Sequence, residues 1–127
     1  MTHVRLEHAN ITVSDPERTA RWMNKVFGWN IRWQGGAIHQ GRSIHMGEPD
    51  SYIALYGPKE APTKGGDSYT HINGLNHLAV VVGDLDAVET RVSEAGFTPV
   101  NHADYEPGRR FYFRDHDGIE FEVVQYD

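Results

Sequence analysis

Leu6-Glu7-His8-Ala9-Asn10-Ile11-Thr12-Val13-Ser14-Asp15 and Leu75-Asn76-His77-Leu78-Ala79-Val80-Val81-Val82-Gly83-Asp84 are two versions of one segment. Leu, His, Val and Asp recur at a single offset of 69 residues, which marks an internal duplication. Each copy reads as a strand with apolar residues on one face, followed by a helix that opens at an Asp cap. Pro16 stands in the first turn of one helix, and Leu85-Asp86-Ala87-Val88 begins the other. Gly28 and Gly96 end them. These glycines are 68 residues apart, so the second helix should be one residue shorter.

A strand-rich stretch follows each glycine, broken by Gly35-Gly36, Gly41 and Gly47 in the first half and by Pro107-Gly108 and Asp117-Gly118 in the second. The expected organisation is a single α+β domain over residues 1–127. It comprises a strand-helix-three-strand module at 1–56, an exposed linker at 57–73 rich in Gly, Pro, Lys and Asp, and a second such module at 74–127. A chain of 127 residues is long enough to bury an independent core.

Twelve Lys and Arg against eighteen Asp and Glu give a formal net charge of -6, which argues against a nucleic-acid partner. The longest aliphatic run, Leu78 to Val82, is too short to span a bilayer, so no membrane partner is expected. No cysteine is present, which removes disulfides and thiolate chemistry. The start, Met1 to His8, lacks the apolar core of a secretory signal, and the expected location is cytoplasmic.

At the far end, Arg110 to Arg114 and Ile119 to Val124 flank His116-Asp117-Gly118, a three-residue hairpin loop with glycine where positive φ is wanted. That register sets Phe113 against Phe121 and Phe111 against Val123 on an apolar face. Arg114 then faces Glu120 and Tyr112 faces Glu122 on the other. A two-residue loop would oppose Phe113 to Glu122 and mix the faces, so the longer loop is preferred.

The same alternation puts His8 and Asn10 on one face of the first strand, with Ala9, Ile11 and Val13 turned to the helices. His77, Ala79 and Val81 share the corresponding face of the second copy. In the strand that ends the first copy, Tyr52, Ala54 and Tyr56 separate from Ile53 and Leu55. The repeat makes Ala54 the counterpart of Glu122, so a pseudo-symmetric fold would gather His8, His77, Ala54 and Glu122.

Two imidazoles and one carboxylate suffice to hold a divalent metal while leaving positions for water or substrate, and Ala54 is expected to keep one position open. Such an ion could polarise a substrate oxygen, lower the pKa of bound water or, as Fe(II), bind dioxygen. Tyr112, across from Glu122, is the candidate hydrogen-bond or proton donor, and Glu122 could also act as a base. Asn10, Tyr52, Ala54, Tyr56 and Arg114 are the candidate pocket residues, with Trp33 as a further apolar wall. A single histidine on a strand is ordinarily structural; the repeat-related placement singles out His8 and His77. His3, His39, His45, His71, His102 and His116 fall outside it and default to the surface.

The two His-containing segments and the ending Phe111-Tyr112-Phe113-Arg114-Asp115-His116-Asp117-Gly118-Ile119-Glu120-Phe121-Glu122-Val123 resemble the vicinal oxygen chelate superfamily, which groups glyoxalase I, bleomycin-resistance proteins and extradiol dioxygenases. The resemblance implies paired βαβββ modules whose eight strands form a curved mixed sheet around a metal and ligand cleft, frequently in a homodimer. It carries the metal positions onto His8, Ala54, His77 and Glu122, and glyoxalase I has a glutamate where Ala54 stands. A three-ligand set of His8, His77 and Glu122, with Tyr112 ten residues before the glutamate, looks more like extradiol dioxygenases and fosfomycin-resistance thiol transferases. The acid-base histidine of the former would fall near Ser51-Tyr52, and the lysine of the latter at His102. The implied function is a metal-dependent lyase or dioxygenase using Fe(II), Mn(II), Ni(II) or Zn(II) on a small molecule. The alternative is a metal-free binding protein of the bleomycin-resistance type.

Overall fold

A computed structural model describes residues 3–127. The chain divides into two compact units, residues 1–63 and 64–127. The first contains β1 (His8–Thr12), α1 (Pro16–Phe27), β2 (Asn30–Gly36), a single 3-10 turn (Ile38–Gln40), β3 (Arg42–Gly47) and β4 (Tyr52–Gly57). The second contains β5 (Leu78–Val81), α2 (Leu85–Glu94), β6 (Val100–Tyr105), β7 (Gly108–Arg114) and β8 (Glu120–Tyr126). Each unit thus holds one four-stranded mixed sheet, ordered β1-β4-β3-β2 in one and β5-β8-β7-β6 in the other. The first pair of each order is parallel and the rest antiparallel. The architecture is α+β.

Both helices begin as their sequences dictate. The Asp15 carboxylate accepts from the Arg18 amide at 3.2 Å, and the Asp84 carboxylate accepts from the Ala87 amide at 3.1 Å. Pro16 fills the first turn of α1, where its missing N–H costs nothing. Gly28 closes α1 at φ 74. The second helix differs: it spans ten residues against twelve, two fewer rather than one, because Ala95 caps it and Gly96 follows at φ 95. The Gly96 amide donates to the Ser93 carbonyl and the Phe97 amide to the Val92 carbonyl. This paired reverse bonding consumes the last turn's free carbonyls.

Helix and sheet bury their apolar faces within each unit. Val13, Met23, Val26, Met46 and Leu55 are almost fully buried in the first, as are Val92, Phe111, Phe113, Phe121 and Val123 in the second. The C-terminal hairpin has the expected register: Phe113 opposes Phe121, Phe111 opposes Val123, Tyr112 opposes Glu122 and Arg114 opposes Glu120. Phe113 and Phe121 stack at 5.3 Å. Asp115 and Ile119 close the loop, and Gly118 adopts φ 78. Burial raises the pKa of the Asp115 carboxyl, although its Oδ1 accepts from the Asp117 and Ile119 amides.

With the cores on one side, each sheet presents a second face whose polar row follows from register. In the first unit the row runs Asn10, Ala54, His45, Trp33 across β1, β4, β3 and β2. In the second it runs Ala79, Glu122, Tyr112, Val100 across β5, β8, β7 and β6. Ala54 and Glu122 are therefore equivalent in register, and so are His45 and Tyr112. No helix among the described residues is long and apolar enough to cross a membrane.

Candidate functional site

The second unit concentrates the charged side chains. His77 immediately precedes β5, and its Nε2 lies 3.1 Å from Oε1 of Glu122. Its Nδ1 lies 2.7 Å from Oδ1 of Asn76, which fixes the ring's orientation and places a proton on Nδ1. Nε2 then faces the carboxylate with a lone pair unless it takes a second proton. Two acceptors so close share one positive centre, a proton or a metal ion.

That spacing suits a divalent ion. Two donors each about 2.1 Å from one ion, at near right angles, stand about 3 Å apart. The donor chemistry fits as well, since an imidazole nitrogen and a carboxylate oxygen serve the borderline metals. His8, the equivalent imidazole, belongs to the first unit. Among the described residues there is no group of three or more His, Cys, Asp or Glu side chains poised to hold a metal ion.

Around His77 and Glu122 the second unit builds a support of which the sequence reading had only the Arg114–Glu120 pair. Arg110 donates from Nη1 to Oε2 of Glu122 at 3.0 Å, and its guanidinium lies over the Tyr105 ring. Its charge offsets the cost of holding the Glu122 carboxylate at 8% exposure. Glu120, also buried, lies 3.8 Å from His77 Nδ1, accepts from Arg114 at 3.2 Å and accepts a hydrogen bond from the Tyr69 hydroxyl. That bond, more than burial, raises the Tyr69 pKa. Tyr69 thus ties the linker to β8. Alternation along β7 carried a signal for Arg110, which shares a face with Tyr112 and Arg114.

Tyr112 packs edge-on to His77 with ring centroids 5.8 Å apart. Burial, and next the Glu122 charge, raise the pKa of its hydroxyl, so at neutral pH it keeps its proton. Arg114 is turned toward the hairpin, donating to the Gly118 carbonyl at 3.0 Å as well as to Glu120.

In the first unit, His8 is held in the manner of His77 by the preceding residue: Nδ1 lies 2.8 Å from Oε1 of Glu7. That bond is the main reason the Glu7 pKa is lowered. His8 stacks on Tyr52 at 4.7 Å, and Tyr56 donates its hydroxyl to the Ile38 carbonyl at 2.7 Å. Asn10 is exposed on the same face.

Ala54 is 2% exposed and stands in register between Asn10 of β1 and His45 of β3. One expectation changes here. His45 is not a surface histidine but a half-buried member of the polar row, directly across from Ala54. It stacks on Tyr52 at 4.7 Å and meets Trp33 at 5.0 Å. Burial, and next the charges of His8 and Arg32, lower its pKa. Pairing β3 with β4 as β7 pairs with β8 would have revealed His45 from the repeat alone. Of the other histidines assigned to the surface, His102 binds Glu89 at 2.9 Å, and the His116 side chain is only 10% exposed.

The model of the Glyoxalase/Bleomycin resistance protein/Dioxygenase superfamily matches residues 5–123. Among solved structures, the chain is similar to a glyoxylase/bleomycin resistance protein/dioxygenase domain from Frankia sp. EAN1pec. They are 25% identical with a TM-score of 0.84, over 99% of this chain and 94% of that one. It also shares its fold with the fosfomycin resistance protein FosX from Mesorhizobium loti, at 23% identity and a TM-score of 0.70, over 97% of this chain and 92% of that one. FosX from Listeria monocytogenes, solved in complex with Mn(II) and a sulfate ion, aligns at 17% identity and a TM-score of 0.73, over 99% of this chain and 95% of that one. No curated protein matches the chain. With the family model covering nearly its whole length, the chain belongs to the Glyoxalase/Bleomycin resistance protein/Dioxygenase superfamily.

Proposed function

We propose that this protein is an enzyme that acts on a small molecule through a divalent metal ion held by His8, His77 and Glu122. The observation that carries the reading is the 3.1 Å approach of His77 Nε2 to Glu122 Oε1, with Asn76 holding the opposite edge of the imidazole. The Mn(II) complex of a FosX that shares this fold adds support, and Fe(II), Ni(II) and Zn(II) suit the same donors. A bound ion would supply Lewis-acid polarisation of adjacent substrate oxygens.

The chain's own residues then divide the remaining work. Asn76 keeps the Nδ1 proton in place so that Nε2 is free to bind. Arg110 orients Glu122 through Oε2 and leaves Oε1 turned to His77. Tyr112, protonated at neutral pH, holds a proton beside the pair and donates it to a substrate oxygen. Asn10, Tyr52, Ala54, Tyr56 and Arg114 are the proposed surroundings of the substrate. The reaction class open to this arrangement is lyase or dioxygenase chemistry on a substrate with neighbouring oxygens. A homodimer is proposed as the assembly, and a cytoplasmic location accompanies it.

An aerobic catechol screen and a thiol-adduct screen of protein loaded with each ion test the reading, with His77→Ala as control. Turnover that the substitution abolishes together with bound metal supports it. A second reading, a metal-free ligand-binding protein, draws on the aromatic row of Trp33, His45 and Tyr52 in the first unit. It expects ligand affinity within a few fold of wild type in His77→Ala and no turnover in either.

A further inference from the structure

The repeat sets His45 where the second unit has Tyr112, and Trp33 where it has Val100. In the second unit the row carries an acid and a phenol. In the first, the acid has become Ala54 and the phenol an imidazole, so His45 is the polar side chain at the centre of the row. Neither of its ring nitrogens has a hydrogen-bond partner among the described residues, although a half-buried imidazole ordinarily has one. Its packing partners are rings: Tyr52 stacked at 4.7 Å with an interplanar angle of 24°, and Trp33 tilted at 49°.

The backbone beside it is irregular in a way that builds a surface. The β2–β3 register shifts between Ile31 and Trp33, leaving Arg32 unpaired. Such a bulge turns consecutive side chains toward one face. Trp33 accordingly meets His45, while the guanidinium of Arg32 lies 4.2 Å from the centroid of the Tyr52 ring. Trp33 remains 50% exposed, so the rest of its indole is a flat apolar platform beside an unpartnered imidazole.

We infer that His45 contacts the substrate, its imidazole accepting a hydrogen bond from a ligand hydroxyl while the flat part of the ligand lies on Trp33. The class of molecule taken is then a planar hydroxylated one. Arg32, held over Tyr52, places a positive charge beside this position and favours a weakly acidic hydroxyl. This rests on the proposed small-molecule function but not on the metal, and it adds to that function a ligand contact made within the first unit.

Phenol and anisole test it, being alike in shape while only phenol has a hydrogen to donate. The full chain, loaded with Zn(II) and separately after chelation, is titrated with each probe while the His45 ring resonances are followed by NMR. Phenol should bind about fivefold more tightly than anisole, the effect of one neutral hydrogen bond. His45→Phe, which keeps the ring contacts, should bring the two within about twofold, and His45→Gln, which keeps an acceptor, should restore part of the preference. Equal binding of the two probes by wild type, no saturable phenol shift, or a preference unchanged in His45→Phe overturns the inference. Zinc content separates the claims. Lost zinc with intact phenol preference sinks the metal reading alone, and retained zinc without preference sinks this one alone.

Discussion

Oδ1 of Asn76 lies 2.7 Å from Nδ1 of His77, directly across the imidazole from the nitrogen that faces Glu122. Glu7 stands in the same relation to His8, 2.8 Å from its Nδ1. Both copies therefore place an oxygen acceptor directly before the histidine, a carboxylate in one and a carboxamide in the other. Partners of this kind typically account for about ten- to a hundredfold in metal affinity.

Asn76→Ala should accordingly weaken divalent-metal binding by about ten- to a hundredfold while leaving the fold intact. Competition with a chromogenic chelator measures this, and an unchanged dissociation constant would remove Asn76 from the account.

Tyr112→Phe separates proton donation from metal binding. The ring still fits against His77, so metal content should stay at the wild-type level. Turnover should fall by about a hundredfold or more, as expected when a general acid is lost. A variant with full turnover would reduce Tyr112 to a packing residue.

Glu17 offers a test on stability that does not involve the site. Arg42 donates to it from Nε at 2.9 Å and from Nη2 at 2.9 Å, tying the first turn of α1 to β3, and holds its pKa at about 2 rather than 4.5. A carboxylate with a lowered folded pKa stabilises the fold above its unfolded value. That contribution is lost as pH falls from about 4.5 through about 2. Both side chains are nearly half exposed, so the stabilisation is about 0.5 kcal/mol. Urea melts of wild type and Glu17→Gln should differ by that amount at pH 7 and converge toward pH 2. An equal gap at both pH values would contradict the assignment.

The order of strands and helices was legible because the duplication shows itself at one offset and because Asp, Pro and Gly punctuate both copies. The hairpin register followed from a separation of phenylalanines from charges that only one loop length allows. The Arg110–Glu122 and Tyr69–Glu120 contacts were less visible, since the first runs diagonally across two strands and the second starts from a linker with no periodic pattern. His45 escaped for a different reason. No motif surrounds it, and its importance comes from standing opposite Ala54, a pairing that the β3–β4 register decides.

The most direct test of a metal centre at His77 and Glu122 is the stoichiometry of divalent ion retained after loading and gel filtration at neutral pH. Wild type should hold about one ion per chain, and His8→Ala, His77→Ala and Glu122→Ala should each hold little or none. Wild-type protein that emerges without metal after loading with Fe(II), Mn(II), Ni(II) and Zn(II) in turn would contradict it.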